Sequence, residues 1–79
     1  MSDAVARKVA RDMATDLMGT ERFQTDLAEH LGQHRVTVAG WFSDGGRPPV
    51  LAILYMQAEL ARREAQDKLD GLRDALQRL

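Results

Sequence analysis

Apolar positions recur every three or four residues along nearly the whole chain, the spacing of α-helices rather than the alternation of strands. Asp3 is placed to cap a first helix. On it Val5, Val9, Met13 and Leu17 form a stripe, with Ala6, Ala10 and Ala14 filling the same side. Gly19 stands where a left-handed C-terminal cap is expected. Thr20 offers the next N-cap, and Phe23, Leu27 and Leu31 repeat at spacing four before Gly32 closes the segment. Val38, Trp41 and Phe42 then resume the apolar positions. The pattern predicts a second helix at about 21–31 and a third at about 35–43.

Ser43 to Arg47 is a turn by composition, and Pro48 and Pro49 sit where a further helix would begin. A proline in the first turn of a helix loses no hydrogen bond and has a helical φ already. From Val50 to Leu79 only Gly71 interrupts the helical composition, so a continuous helix of about 43 Å is expected at ~1.5 Å per residue. Its first half, with Leu51, Leu54, Tyr55 and Ala58, is expected to pack on the other helices. Its second half carries Ala61, Ala65, Leu69, Leu72, Leu76 and Leu79 at steps of four, four, three, four and three. A small four-helix domain has no internal use for a leucine seam that far out. Ala65, Leu69, Leu72, Leu76 and Leu79 are therefore expected to form a homodimer seam, flanked by the pairs Glu59 with Arg63 and Glu64 with Lys68. The expected organisation is all-α: a four-helix domain over residues 1–58 and a dimerising extension of the last helix over 59–79.

Composition narrows the function. The 79 residues contain no Cys, which removes disulfides and thiolate metal sites and points weakly to the cytosol. The longest apolar run, Val50 to Met56, is far too short for a membrane span, and no basic-then-apolar leader is visible at the start. A chain this short rarely closes a pocket around converging catalytic groups, so a binding or assembly module is expected rather than an enzyme, with no cofactor and no small-molecule substrate. The net charge is −1, spread evenly: residues 1–19 balance, residues 20–49 sum to −1 and residues 50–79 balance again. That is not the basic face usual in a DNA binder, and it lowers the expected nonspecific affinity.

The segment Gln24 to Phe42 nonetheless meets the physical demands of a helix-turn-helix. Ala28 is small where two helices must cross closely. Gly32, four positions on, tolerates the positive φ of a turn. Leu27 and Leu31 give the first helix its inner face, and Val38 and Trp41 do the same for the second. Leu27-Ala28-Glu29-His30-Leu31-Gly32, followed by Val36-Thr37-Val38 and then Trp41, resembles the lambda-repressor-like helix-turn-helix DNA-binding family. Thr20 to Gln24 before it and Gly46 to Pro49 after it resemble small phage and prophage regulators in particular. The resemblance covers residues 20 to about 58.

The resemblance implies a homodimeric transcriptional regulator of phage type, a repressor acting on double-stranded DNA in a bacterial host cytoplasm or nucleoid. The helix starting near His34 would enter the major groove. Arg35 and Val36 would lie where base edges are read, Arg35 bonding guanine and Val36 or the Thr37 methyl meeting thymine. Gln24 would contact phosphate and support the recognition helix, with Ser43 and Arg47 as further phosphate contacts. The sequence departs from the family at Gly40, where relatives often carry a long polar side chain: either the backbone approaches DNA there or that contact is missing. His34 replaces the usual Ser or Thr cap and becomes a candidate phosphate contact, and Gln33 in the turn is expected to be solvated.

Plainer readings accompany these residues. His30 and His34 straddle Gly32 and lack a third ligand, so a metal site is not expected. Trp41 could stack on single-stranded bases, but at its position it is expected in the core, with Trp41→Ala costing about 3–5 kcal/mol. Arg22 is as readily a solvated residue as a phosphate contact, and Arg62, Arg63, Arg73 and Arg78 read as a solvated face. Two other classes stay open: a DNA-binding assembly protein like phage small terminase subunits, and a protein-binding module that keeps the fold but has lost DNA binding.

Overall fold

The computed structural model describes residues 2–79, which form α1 (Asp3–Met18), α2 (Gln24–Leu31), α3 (Arg35–Phe42) and α4 (Val50–Gln77). The protein is all-α with a long C-terminal helix, and among the described residues no helix is long and apolar enough to cross a membrane. The radius of gyration, 15.4 Å, exceeds the roughly 12 Å of a compact chain of this length. The excess comes from α4, whose residues beyond Leu60 are all exposed and which stretches the molecule to 55 Å.

Helix α1 begins one residue earlier than expected of its cap. Ser2, not Asp3, is the N-cap, and its Oγ accepts a hydrogen bond from the Val5 amide at 3.2 Å. Its buried face is the alanine line Ala6, Ala10, Ala14 with Leu17, whereas Val5 is 49% exposed and Val9 and Met13 are only half-buried. Alanine at every fourth position leaves room for a neighbouring backbone, and α1 packs against all three other helices, most extensively α4. It ends as expected, with Gly19 left-handed and its amide bonded to the Thr15 carbonyl.

Helix α2 starts at Gln24 rather than Glu21. The Thr20 hydroxyl is engaged in a local turn, accepting from the Arg22 amide at 3.1 Å, and the chain enters the helix after Phe23. Gly32 closes α2 at φ 68°, its amide shared between the Ala28 and Glu29 carbonyls, while the Gln33 amide reaches back to Ala28 at 2.8 Å. Only glycine adopts that φ without strain, so the three-residue turn Gly32–His34 is set by one position. The core gathers Leu17, Phe23, Leu27, Val38, Phe42 and Met56 around the alanines. Phe42, not Trp41, is the buried aromatic of α3: its ring meets Phe23 edge-on at 4.9 Å, while Trp41 is half-buried at the margin.

The expected inner face of α4 is also displaced. Ala52 and Met56 are buried, with Ile53 and Leu60 packed beside them, while Leu51, Leu54 and Tyr55 are 80%, 52% and 41% exposed and Ala58 is exposed too. Arg63, expected to be solvated, donates to the Leu17 carbonyl at 2.6 Å and so caps the C-terminus of α1. Glu59 binds Arg62 at 2.6 Å more closely than Arg63 at 3.9 Å, and the Arg62 guanidinium holds its carboxyl below the ordinary value. The helix runs unbroken through Gly71 but ends at Gln77, so Leu79, expected within it, lies just beyond its last turn.

Candidate nucleic-acid interface

Two short helices, eight residues each, are held against one another by Leu27, Ala28, Val38 and Phe42, and the arrangement fixes what α3 can show to solvent. With Val38 and Phe42 turned inward, Arg35, Val36, Thr37 and Gly40 are all exposed, Val36 at 83%. Val36 is therefore no part of the core. The Arg35 guanidinium makes no hydrogen bond or ion pair among the described residues, so it extends from the first turn of α3 without an internal partner.

The first turn of α2 lies beside it. Arg22, Gln24, Thr25 and Arg35 share one open depression, together with Glu21. The depression thus joins two helix N-termini. Neither α2, entered through Phe23, nor α3, entered through His34, has a side chain bonded to its first-turn amides, in contrast with the Ser2 cap on α1. Unbonded N–H groups and the positive end of the helix dipole favour an anion such as a phosphate oxygen. Thr25 was not singled out by the sequence pattern; its place next to Gln24 in the first turn of a helix was the available signal.

The other expected contacts fare differently. His34 is exposed at the α3 N-cap, beside Arg35. Ser43 is turned back on the helix, its hydroxyl donating to the Gly40 carbonyl at 2.8 Å. Arg47 is ion-paired with Asp3 at 3.0 Å, tying the loop after α3 to the start of α1. That loop is drawn in further by Arg7, which donates to the Gly46 carbonyl at 2.6 Å, and by Arg11, which reaches the Phe42 carbonyl at 3.4 Å. Gly46 passes so close to the Gly40 carbonyl that a side chain there would collide with backbone. His30 is bonded to the Tyr55 hydroxyl at 2.9 Å, joining α2 to α4.

Gly40 itself faces open space: a Cβ added there meets nothing within 4 Å. Gly40→Ala should therefore stabilise the free protein by about 0.5–1 kcal/mol, because the helical backbone loses less entropy on folding. A denaturant titration of both proteins reads this directly, and an unchanged midpoint would show that the exposed surface at Gly40 is less open than it looks.

The leucines of α4 lie in solvent. Leu69, Leu72, Leu76 and Leu79 are 57%, 64%, 68% and 99% exposed, and Ala65 is exposed between them and the domain. No family model, curated protein or solved structure matched the chain.

Proposed function

We propose that α2 and α3 form a helix-turn-helix of the lambda-repressor-like kind, and that the protein is a homodimeric, sequence-specific binder of double-stranded DNA acting as a phage-type repressor. The observation that carries this reading is the shared N-terminal face of the two helices. Arg35, Val36 and Thr37 are exposed on α3, and Arg35 shares one open depression with Arg22, Gln24 and Thr25. In this reading α3 lies in the major groove. Arg35 bonds guanine, Val36 and Thr37 meet thymine methyls, and the α2 N-terminus holds a backbone phosphate through Gln24. Arg47 and Ser43 are better placed as braces of the α3–α4 loop, with any phosphate contact secondary to that. Dimerisation through α4 makes the operator an inverted repeat with half-sites about one helical turn, ~34 Å, apart. Repression is steric occupation of a promoter.

The test is selection from fragments of the source genome, including the upstream region of the protein's own gene, followed by salt titration of the best binder. With Arg22 and Arg35 as the basic residues of the face, two per protomer and four per dimer at ~0.9 counterions each predict an affinity falling about 10²-fold between 50 and 200 mM salt. An enriched inverted repeat with that slope supports the reading. No enrichment at low salt overturns it in favour of a protein-binding module. The open leucine face of α4 equally suits a ring-forming packaging subunit, and a native mass of eight or more chains would favour that assignment over a dimer.

A further inference from the structure

The apolar face of α4 is longer than its C-terminal leucines. With Ala52 and Met56 turned onto α1, the exposed apolar positions on the far side of the helix, about half a turn away, are Leu51, Leu54, Ala58, Ala61, Ala65, Leu69, Leu72 and Leu76, and the same spacing extends to Leu79, two residues beyond the helix end. Their steps are three, four, three, four, four, three, four and three. The series reads the same from either end, with Ala65 at its centre.

We propose that two copies of the chain pair through this face antiparallel, along the whole of α4, with the two-fold axis at Ala65; the proposal rests on the homodimeric reading above and gives that dimer its geometry. In this register Leu51 meets the partner's Leu79, Leu54 its Leu76, Ala58 its Leu72 and Ala61 its Leu69. Layer size is graded from leucine on leucine at the ends, through alanine on leucine, to Ala65 on its own copy. A parallel pair would instead set three successive alanine layers directly beside four leucine layers, so the helices could not stay in contact over both. The doubled four-residue step at the centre is a local unwinding of the heptad pattern.

Charge selects the same orientation. Glu64 and Lys68 lie on one flank of the stripe, both largely exposed and 3.8 Å apart within the chain. In an antiparallel pair, like flanks face each other. Glu64, one residue before the centre, and the partner's Lys68, three beyond its own, come within two residues along the axis, about 3 Å. The two-fold axis makes two such pairs. In a parallel pair opposite flanks meet, and Lys68 faces the partner's Arg73, a repulsion repeated twice. The antiparallel arrangement also lays the partner's last turn across Leu51 and Leu54, beside the apolar hollow between Trp41, Pro49 and Tyr55. The two domains, packed on the outer faces of opposite halves of the pair, do not compete for the same space.

The chain has no cysteine, so single thiols report geometry cleanly. Full-length Leu54→Cys and Leu76→Cys proteins are oxidised separately and as an equimolar mixture, beside sedimentation of the wild type. The antiparallel pair gives a disulfide-linked heterodimer in the mixture and none from either protein alone, because identical positions lie 22 residues, roughly 33 Å, apart. Homodimer disulfides from Leu76→Cys alone, with none between the two variants, overturn the antiparallel register while leaving the homodimer intact. A monomer at all concentrations overturns the homodimer as well. As a second readout, Lys68→Glu weakens association several-fold and adding Glu64→Lys restores it. Tighter association of Lys68→Glu would contradict the proposal, since that is the parallel outcome.

Discussion

Phe42→Ala should remove about 3–5 kcal/mol of the chain's stability, while Trp41→Ala should cost less than half as much. Phe42 is 7% exposed and fills the space between α3, Phe23 and α1. Its ring stands edge-on to Phe23 at 76°, and the Arg11 guanidinium sits 6.0 Å from its centroid. Truncating a buried phenylalanine costs about 3–5 kcal/mol, from lost transfer energy and the cavity left behind. A chain of this length has a total stability of only about 4–12 kcal/mol. Few large side chains share the core, so neighbours cannot collapse into the gap without drawing in the alanine face of α1. Trp41 already gives part of its ring to solvent, so its removal should cost less than half as much. Urea titrations followed by far-ultraviolet circular dichroism compare the two proteins, since one of them lacks the only tryptophan. If Trp41→Ala proved the more damaging, the packing of α3 would have to be rotated by one residue.

Arg35→Ala should abolish the preference for the selected DNA while sparing weak binding to any sequence. A bidentate arginine–guanine contact contributes about 1–3 kcal/mol of discrimination, so the preferred site should lose roughly 10- to 100-fold in affinity. Arg35→Lys should restore it only in part, because an ammonium can reach guanine O6 and N7 but lacks the planar, pre-organised fork of the guanidinium. Gln24→Ala should act differently. A phosphate contact carries no sequence information, so its loss weakens all sequences about equally. Competition binding with the selected site and a scrambled duplex separates the cases. Equal loss on both duplexes for Arg35→Ala would make Arg35 a phosphate contact and move base reading elsewhere on α3.

The ends of α1 and α2 were legible in the sequence because each depends on one glycine, whereas no single residue marks the end of α4 at Gln77. Gly19 and Gly32 take left-handed backbones that other residues adopt only with strain, and Pro49, extended at ψ 145°, is the cap from which α4 starts. Which face turns inward was harder to read. Helix α4 is apolar on two sides, and hydrophobicity alone does not say whether Met56 or Leu54 meets α1. On α1 the valines are the more hydrophobic line, yet close approach of the neighbouring helix favours the alanines. Trp41 and Phe42 are adjacent and both aromatic, so spacing could not choose between them. The arginine contacts were invisible for another reason. Arg7, Arg11 and Arg63 bond carbonyls 39, 31 and 46 residues away, and no local pattern marks a donor for a distant helix end. Three of the eleven basic residues are thereby drawn into holding the fold together. For the candidate interface, the exposed N-terminus of α3 was legible from the turn at Gly32; its junction with Arg22 and Thr25 needed the packing of α2 on α3.

The brevity of α3 sets a limit of its own. Phe42 ends the helix, and the loop behind it is pinned by Arg7, Arg11 and the close passage of Gly46, so α3 has no room to lengthen. Eight residues span about 12 Å, which at ~3.4 Å per base pair faces roughly four base pairs. If α3 reads DNA as proposed, two copies specify about eight, a word that chance supplies about once in 65,000 base pairs. That is nearly unique in a genome of tens of thousands of base pairs and commonplace in one of millions. In the proposed reading, a regulator built this way finds a single address among viral genes, whereas on a bacterial chromosome it must rely on clustered sites or a second source of information.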